Sequence, residues 1–231
     1  MTIEQNVAAV RAQIDEAARA CGRDPKSVLL CAASKMNDAE TVLRAVQAGV
    51  DCCGENRVQE FLQKQPAGAY GEKPVHFIGR LQTNKVKYLV GSVDLIQSVD
   101  RPELLAAIEK EAAKRGVTQD ILLEVNVGGE QSKGGFEPKS VIDACASVAS
   151  FPHLRVRGLM TIPPIAEVAG ANRKYFAEIR RLAVDIAAKK YDNVTMECLS
   201  MGMSGDFADA IVEGSTMVRI GTAIFGPRNY T

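Results

Sequence analysis

The chain carries no net charge: Lys plus Arg and Asp plus Glu each number 28. It therefore offers no global field for gathering nucleic acid or an anionic membrane surface. Long hydrophobic runs are also missing, and the apolar stretches fall far short of a membrane span. The opening Met1-Thr2-Ile3-Glu4-Gln5 is polar and acidic, unlike a secretory signal. Histidine is scarce. His76 and His153 stand far apart with no ligand spacing, so no metal site is expected. None of Cys21, Cys31, Cys52, Cys53, Cys145 and Cys198 forms a C-x-x-C pair, and most sit in apolar runs. They read as small buried hydrophobes in a reducing compartment, and a cytoplasmic location is expected. The neighbours Cys52 and Cys53 would face opposite sides of a strand and could not serve one site together. No Gly-rich fingerprint follows the first strand, which argues against a dinucleotide fold.

What is present is a chain of 231 residues, 46% hydrophobic, enough for a sizeable core. No linker or low-complexity segment divides it, so residues 1–231 are read as one domain. Ile3, Val7, Val10 and Ile14 repeat at helical spacing and put a helix ahead of the first strand. Eight short apolar runs then alternate with helical patterns; they end near Lys35, Gly54, Gly79, Val99, Val127, Met160, Ser200 and Ile220. A helix is expected after Thr83. Asp100 is expected to cap the helix after the fourth strand, with Glu103 completing a capping box. Pro138 is expected in the first turn of the helix after the fifth. Apolar strands with helical crossovers imply a parallel sheet. Eight such units in just under ~250 residues imply an α/β fold, a closed (β/α)8 TIM barrel with an extra N-terminal helix. The rival is an open doubly wound sheet.

Loops after barrel strands line one mouth, and the site belongs there. The first apolar run ends abruptly in Lys35. Partial burial at such a point lowers an amine's pKa and frees it to attack a carbonyl; the alternative is a surface lysine opening a loop. Ser200-Met201-Gly202-Met203-Ser204-Gly205-Asp206 and Gly221-Thr222 follow strands seven and eight. Those are the strands whose loops often bind phosphate, though two plain turns would look the same. Arg219 interrupts the apolar run Met217-Val218-Arg219-Ile220. It either points inward and needs an acceptor, or points outward to a helix. An amine, a phosphate cradle and an inward arginine converge on a phosphorylated carbonyl compound, and pyridoxal 5′-phosphate fits all three.

The motifs Ala33-Ser34-Lys35, Gly54-Glu55-Asn56-Arg57-Val58-Gln59-Glu60, His76-Phe77-Ile78-Gly79-Arg80-Leu81-Gln82-Thr83-Asn84-Lys85 and Gly158-Leu159-Met160 are recognisable in combination. So are Leu199-Ser200-Met201-Gly202-Met203-Ser204 and Arg219-Ile220-Gly221-Thr222-Ala223-Ile224-Phe225-Gly226. Together, in order along nearly the whole chain, they resemble the pyridoxal-phosphate homeostasis protein family. That resemblance implies a barrel like the alanine racemase N-terminal domain. It implies that Lys35 holds the cofactor as a Schiff base and that Ser200, Ser204, Gly221 and Thr222 hold its phosphate. It further implies that Arg219 faces the pyridine nitrogen, that Asn56 lies beside the ring, and that His76 to Lys85 line the same mouth. Met36-Asn37 and Cys52-Cys53 depart from the family pattern.

An arginine at the ring nitrogen keeps that nitrogen unprotonated and weakens the ring as an electron sink. None of Tyr70, Tyr88, Tyr175, Tyr191 and Tyr230 is an evident base. The reading is thus a carrier of vitamin B6 without turnover of its own. Its expected partners are the cofactor and pyridoxal-phosphate-dependent apo-enzymes, and the expected state is a monomer. The alternatives are a one-domain amino-acid racemase with Lys35 as one base, or a cofactor-free lysine aldolase for sugar phosphates.

Overall fold

A computed structural model describes residues 1–130, 134–166 and 168–227. Eight strands run parallel and close in chain order, the eighth pairing with the first. They are β1 (Leu29–Ala33), β2 (Cys52–Glu55), β3 (Val75–Phe77), β4 (Leu95–Val99), β5 (Gln119–Glu124), β6 (Leu154–Met160), β7 (Val194–Ser200) and β8 (Met217–Ile220). The helices are α1 (Ile3–Ala20), α2 (Ala39–Gln47), α3 (Val58–Lys64), α4 (Pro102–Arg115), α5 (Val141–Val148), α6 (Arg173–Lys189), α7 (Phe207–Val212) and α8 (Thr222–Phe225). The barrel is closed, so the open-sheet rival falls. Among the described residues no helix is long and apolar enough to cross a membrane.

Strand alternation divides the core in two. Leu30, Ala32, Cys53, Phe77, Ile96, Ile121, Leu123, Leu159, Val218 and Ile220 point outward and pack under the helices in one continuous cluster. Cys31, Cys52, Leu95, Leu122, Met160 and Met217 point inward as two small interior clusters. Cys52 and Cys53 do face opposite sides. Helix α1 is the expected extra element. Thr2 and Gln5 form a capping box at its start, and Val7, Val10, Ile14 and Ala18 bury one face.

The helix expected after Thr83 is present as a six-residue 3-10 helix, Thr83–Tyr88. Three local expectations are corrected. Strand β1 ends at Ala33, so Lys35 lies in the turn beyond it and not in the ladder. Asp100 does not cap α4. Pro102 takes the first helical position, where its fixed φ suits it, and moves the N-cap to Arg101. The Asp100 carboxylate is then free to accept from the Arg101 guanidinium. Pro138 lies in a turn ahead of α5, which starts only at Val141 after Ser140.

Gly158 marks the tightest backbone approach in the sheet. It adopts φ +153°, and a Cβ there would lie 1.8 Å from the Cys198 carbonyl oxygen on β7. The β6–β7 register shifts between Val156 and Gly158. Gly158→Ala should therefore lower unfolding free energy by at least about 2 kcal/mol in urea titrations. Gly205→Ala, with nothing within 4 Å of its Cβ position, should stay within about 0.5 kcal/mol of the parent.

Candidate functional site

Three backbone groups in a row hold the Lys35 turn. The Ser34 carbonyl accepts from Lys64 Nζ at 2.8 Å, and the Lys35 carbonyl accepts from Asn37 Nδ2 at 3.0 Å. The Met36 amide donates to Glu60 Oε2 at 2.7 Å. Met36 adopts φ +63°, a conformation unusual for its side chain, so the turn is fixed by its surroundings and not by preference. Behind it, Glu55 Oε1 accepts from Ser34 Oγ at 2.5 Å, Lys64 Nζ at 2.9 Å and Tyr70 Oη at 3.1 Å, all buried. Burial raises the Tyr70 hydroxyl far above its ordinary pKa, with Glu55 adding to the effect, so Tyr70 stays a neutral donor. Glu55, Glu60 and Lys64 were not singled out from the sequence. Glu60 and Lys64 have the spacing of an ordinary charged helix face, Glu55 ends β2, and only the barrel brings the three together.

Lys35 borders a cleft of about 220 Å³ together with Gly221 and Thr222. Across the cleft edge, Ser204 Oγ accepts from the Ala223 amide at 3.4 Å, tying the loop after β7 to the start of α8. The amine and the loops after β7 and β8 thus share one mouth. Helix α7 is only six residues long and has no side-chain cap. The Asp206 carboxylate instead accepts from the Met203 amide at 2.7 Å and from Asn172 Nδ2 at 2.8 Å, which shapes the loop. Gly202 permits this: at φ +96°, its Cβ position would lie 2.7 Å from the Ala210 side chain.

Arg219 points inward, which resolves the choice left open by its strand. It is 4% exposed. Its Nη1 donates to the Ser200 carbonyl and to Ser200 Oγ, each at 2.7 Å, and its Nη2 to the Thr161 carbonyl at 2.9 Å. Burial lowers its pKa from arginine's ordinary value, while Cys31, Glu124 and Asp206 pull the other way. Ser200 is fully enclosed, and its hydroxyl accepts from Arg219 and donates to Gln97 Oε1 at 2.6 Å. Position 200 is an inward-facing position of β7, whereas Ser204 lies beyond the strand.

Asn56 follows β2, two residues past Gly54, which pairs with Ala33 of the cleft. Its Oδ1 is buried with no hydrogen-bond partner. Gly79 abuts its backbone so closely that a Cβ would lie 2.1 Å from the Asn56 carbonyl oxygen. His76 corrects the last expectation. It faces the opposite end of the barrel, in a cleft shared with Pro74 and Leu95, where the strands begin. Gln97 Nε2 donates to its Nδ1 at 2.9 Å. Glu124, at the mouth end of β5, was not singled out either. Burial, then the charge of Asp100, push its pKa up to about 7 against the pull of Arg219 and Arg80.

Over residues 5–229 the chain matches the family profile described as alanine racemase, N-terminal domain. A pyridoxal phosphate homeostasis protein of Aquifex aeolicus is 46% identical over 226 residues, 98% of each chain. Its namesake in Pseudomonas aeruginosa is 43% identical, over 99% of this chain and 97% of the other. Among solved structures, PipY of Synechococcus elongatus with PLP bound superposes with a TM-score of 0.85 at 30% identity, covering 97% of this chain and all 100% of that one. An alanine racemase of Clostridium difficile shares the barrel alone, at TM-score 0.69 and 14% identity, with 57% of that chain covered. The inward Arg219, the clamped Lys35 turn and full-length likeness to these relatives place the chain in the family of pyridoxal phosphate homeostasis proteins.

Proposed function

We propose that this chain holds pyridoxal 5′-phosphate on Lys35 and serves vitamin B6 homeostasis in the cytoplasm, passing the cofactor to apo-enzymes without turnover of its own. In this reading residues 1–231 act as one domain and as a monomer. The carrying observation is the single cleft bordered by Lys35, Gly221 and Thr222. A second observation fits the same cofactor: the buried, unpartnered Asn56 Oδ1 beside the β1 and β2 ends. The chain carries the lysine, the two loops and the arginine together, and its relatives are named for this role.

Each residue has a part that follows from its surroundings. Lys35 presents its amine from a turn whose backbone cannot drift, because Lys64, Asn37 and Glu60 hold it. Thr222 and Gly221 offer a hydroxyl and close backbone approach for phosphate, and Ser204 keeps the two phosphate-side loops in register. Arg219 faces the ring nitrogen as a permanent cation, aimed by Ser200 and Thr161. Asn56 contacts the ring edge. The chemistry supplied at Lys35 is that of an aldehyde taken up reversibly by a primary amine.

Turnover would call for a second base opposite Lys35. The Tyr70 hydroxyl is committed to Glu55, and Tyr191 lies at the strand-beginning end of the barrel. Tyr88 lies exposed on the 3-10 helix and Tyr175 on α6. Tyr230 lies outside the described residues.

The test is spectroscopic. The purified protein should show the visible band of a bound pyridoxal chromophore, and Lys35→Ala should lose it. Borohydride should fix a pyridoxyl adduct on residue 35. Solvent deuterium should not wash into the α-carbon of any proteinogenic amino acid; such exchange, or a missing adduct, defeats the reading. Thr222→Val should weaken cofactor binding about tenfold while sparing the band at saturation, since a hydrogen bond to a charged group contributes ~1.5 kcal/mol or more.

Glu124 generates a pH dependence. Its folded pKa, about 7, lies above the ordinary carboxylate value of 4.5. Between those values the folded chain keeps a proton that the unfolded chain releases, so stability falls as pH rises through the window. Glu124→Gln should remove that fall. The melting-temperature difference, variant minus parent, should become more positive from pH 5 to pH 8 in thermal scans.

A further inference from the structure

The lower half of the barrel interior holds a group of donors that the cofactor site does not use. In the sheet, Cys31 pairs with Cys52, and Gly54 with His76. Alternation turns Cys31, Cys52 and His76 inward, where all three are buried. One ligand atom from each, two thiol sulfurs and a ring nitrogen, lie within 4.8 Å of one another. Cys52 Sγ is 3.6 Å from His76 Nδ1. The thioether residue Met217 packs against both thiols, and Cys198 adjoins them. Barrels of this kind are usually filled at this level by branched aliphatic side chains. Sulfur and imidazole stand there instead.

A route from solvent leads to this cluster. A cleft of about 460 Å³ at the end where the strands begin is lined by His76, Cys198 and Met217. Three carboxylates, Asp94, Asp120 and Glu197, stand on its wall. Asp120 pairs with Arg155 and Arg157, Glu197 pairs with Arg157, and Asp94 accepts from the Val75 amide. Three carboxylates against two arginines favour an entering cation.

We propose that Cys31, Cys52 and His76 form a binding site for a thiophilic d10 cation, Zn²⁺ or Cu⁺, reached from this lower cleft. Two sulfurs and one imidazole are the donor set such ions favour over oxygen-seeking Mg²⁺ or Ca²⁺. His76 Nδ1 accepts a hydrogen bond here, so that nitrogen carries a lone pair. Gln97 Nε2 now donates to that lone pair, and it keeps a second acceptor in Met217 Sδ at 3.2 Å when the metal takes the nitrogen. On binding, two S–H bonds break, two metal–sulfur bonds form, and both protons pass to bulk water. Nothing is oxidised or reduced.

The site uses no residue assigned to the cofactor, although Cys31 stands beside Arg219 in the β1–β8 ladder, so metal retention is read separately from the cofactor band. The experiment uses the full chain with its cofactor in place, reduced and free of oxygen, in a Cys21→Ser background that removes the half-exposed thiol of α1's C-cap. The chain is dialysed against Zn²⁺, and separately against Cu⁺ supplied as its acetonitrile complex, each buffered by a competing chelator. One equivalent of at least one ion should be retained. Cys31→Ala and Cys52→Ala should lose it, and Cys53→Ala, whose thiol faces outward, should keep it. If neither ion is retained, or Cys52→Ala retains as much as the parent, the proposal is wrong. Should the alanine variants fail to fold, X-ray absorption on the loaded parent decides. Two sulfurs and a nitrogen around the metal support the site, and an oxygen-dominated shell overturns it.

Discussion

A guanidinium enclosed inside a barrel must find acceptors there, and Arg219 organises the interior around that need. An ion moved out of water loses several kcal/mol of solvation unless polar partners replace it. Arg219 takes two carbonyls and one hydroxyl, from Ser200 and Thr161. Those partners belong to the ends of β6 and β7, so the arginine ties three adjacent strands together at the mouth. The Ser200 hydroxyl, occupied as an acceptor, donates its own proton to Gln97. Gln97 in turn donates to His76 and Met217. One chain of hydrogen bonds therefore runs from the mouth of the barrel to its sulfur-lined floor.

A second buried charge works on the outer side of β2. Glu55 and Lys64 pair at 2.9 Å with 1% and 7% of their side chains exposed. Breaking such a pair by removing one partner costs about 3–5 kcal/mol, whereas an exposed pair contributes about 0–1. Surface bridges such as Arg44 with Glu4 therefore matter little, and the Glu55–Lys64 pair matters greatly. Its placement explains why. The same Lys64 nitrogen holds the Ser34 carbonyl, so the energy of the pair also fixes the residue before Lys35. Specificity of geometry is the gain: a strained Met36 turn would relax in isolation, and here it cannot.

Strand–helix alternation made the barrel legible, because parallel strands covered on both faces read as short apolar runs. The same double covering hid the direction of individual side chains. Arg219 looked equally able to point either way, since both faces of β8 are apolar. Ser200 and Ser204 look alike in a Gly/Ser loop, yet one lies on the last inward position of β7 and the other past it. Asp100 carries the composition of a cap, but the fixed φ of Pro102 outweighs a side-chain preference worth about 1 kcal/mol. The Lys35 clamp was invisible for another reason. Glu55 ends β2 while Glu60 and Lys64 lie on α3, and their meeting is set by where α3 lies against β1 and β2, a relation no local pattern contains.

The floor of the barrel carries that lesson furthest. Parity alone showed that Cys52 and Cys53 cannot share a site, and the strand faces agree. Parity could not show that Cys31, twenty-one residues earlier, would stand beside Cys52, because that follows from the β1–β2 register. Nor could it bring His76 across from β3. Metal spacing rules describe ligands that are close in sequence because they share a turn or helix. A closed barrel gathers ligands by another rule: same layer, neighbouring strands, inward parity. Under that rule three residues with no recognisable spacing become neighbours. The interior of this barrel is then a pair of chemically distinct ends joined through Gln97, the only side chain that hydrogen-bonds to both Ser200 and His76 among the described residues.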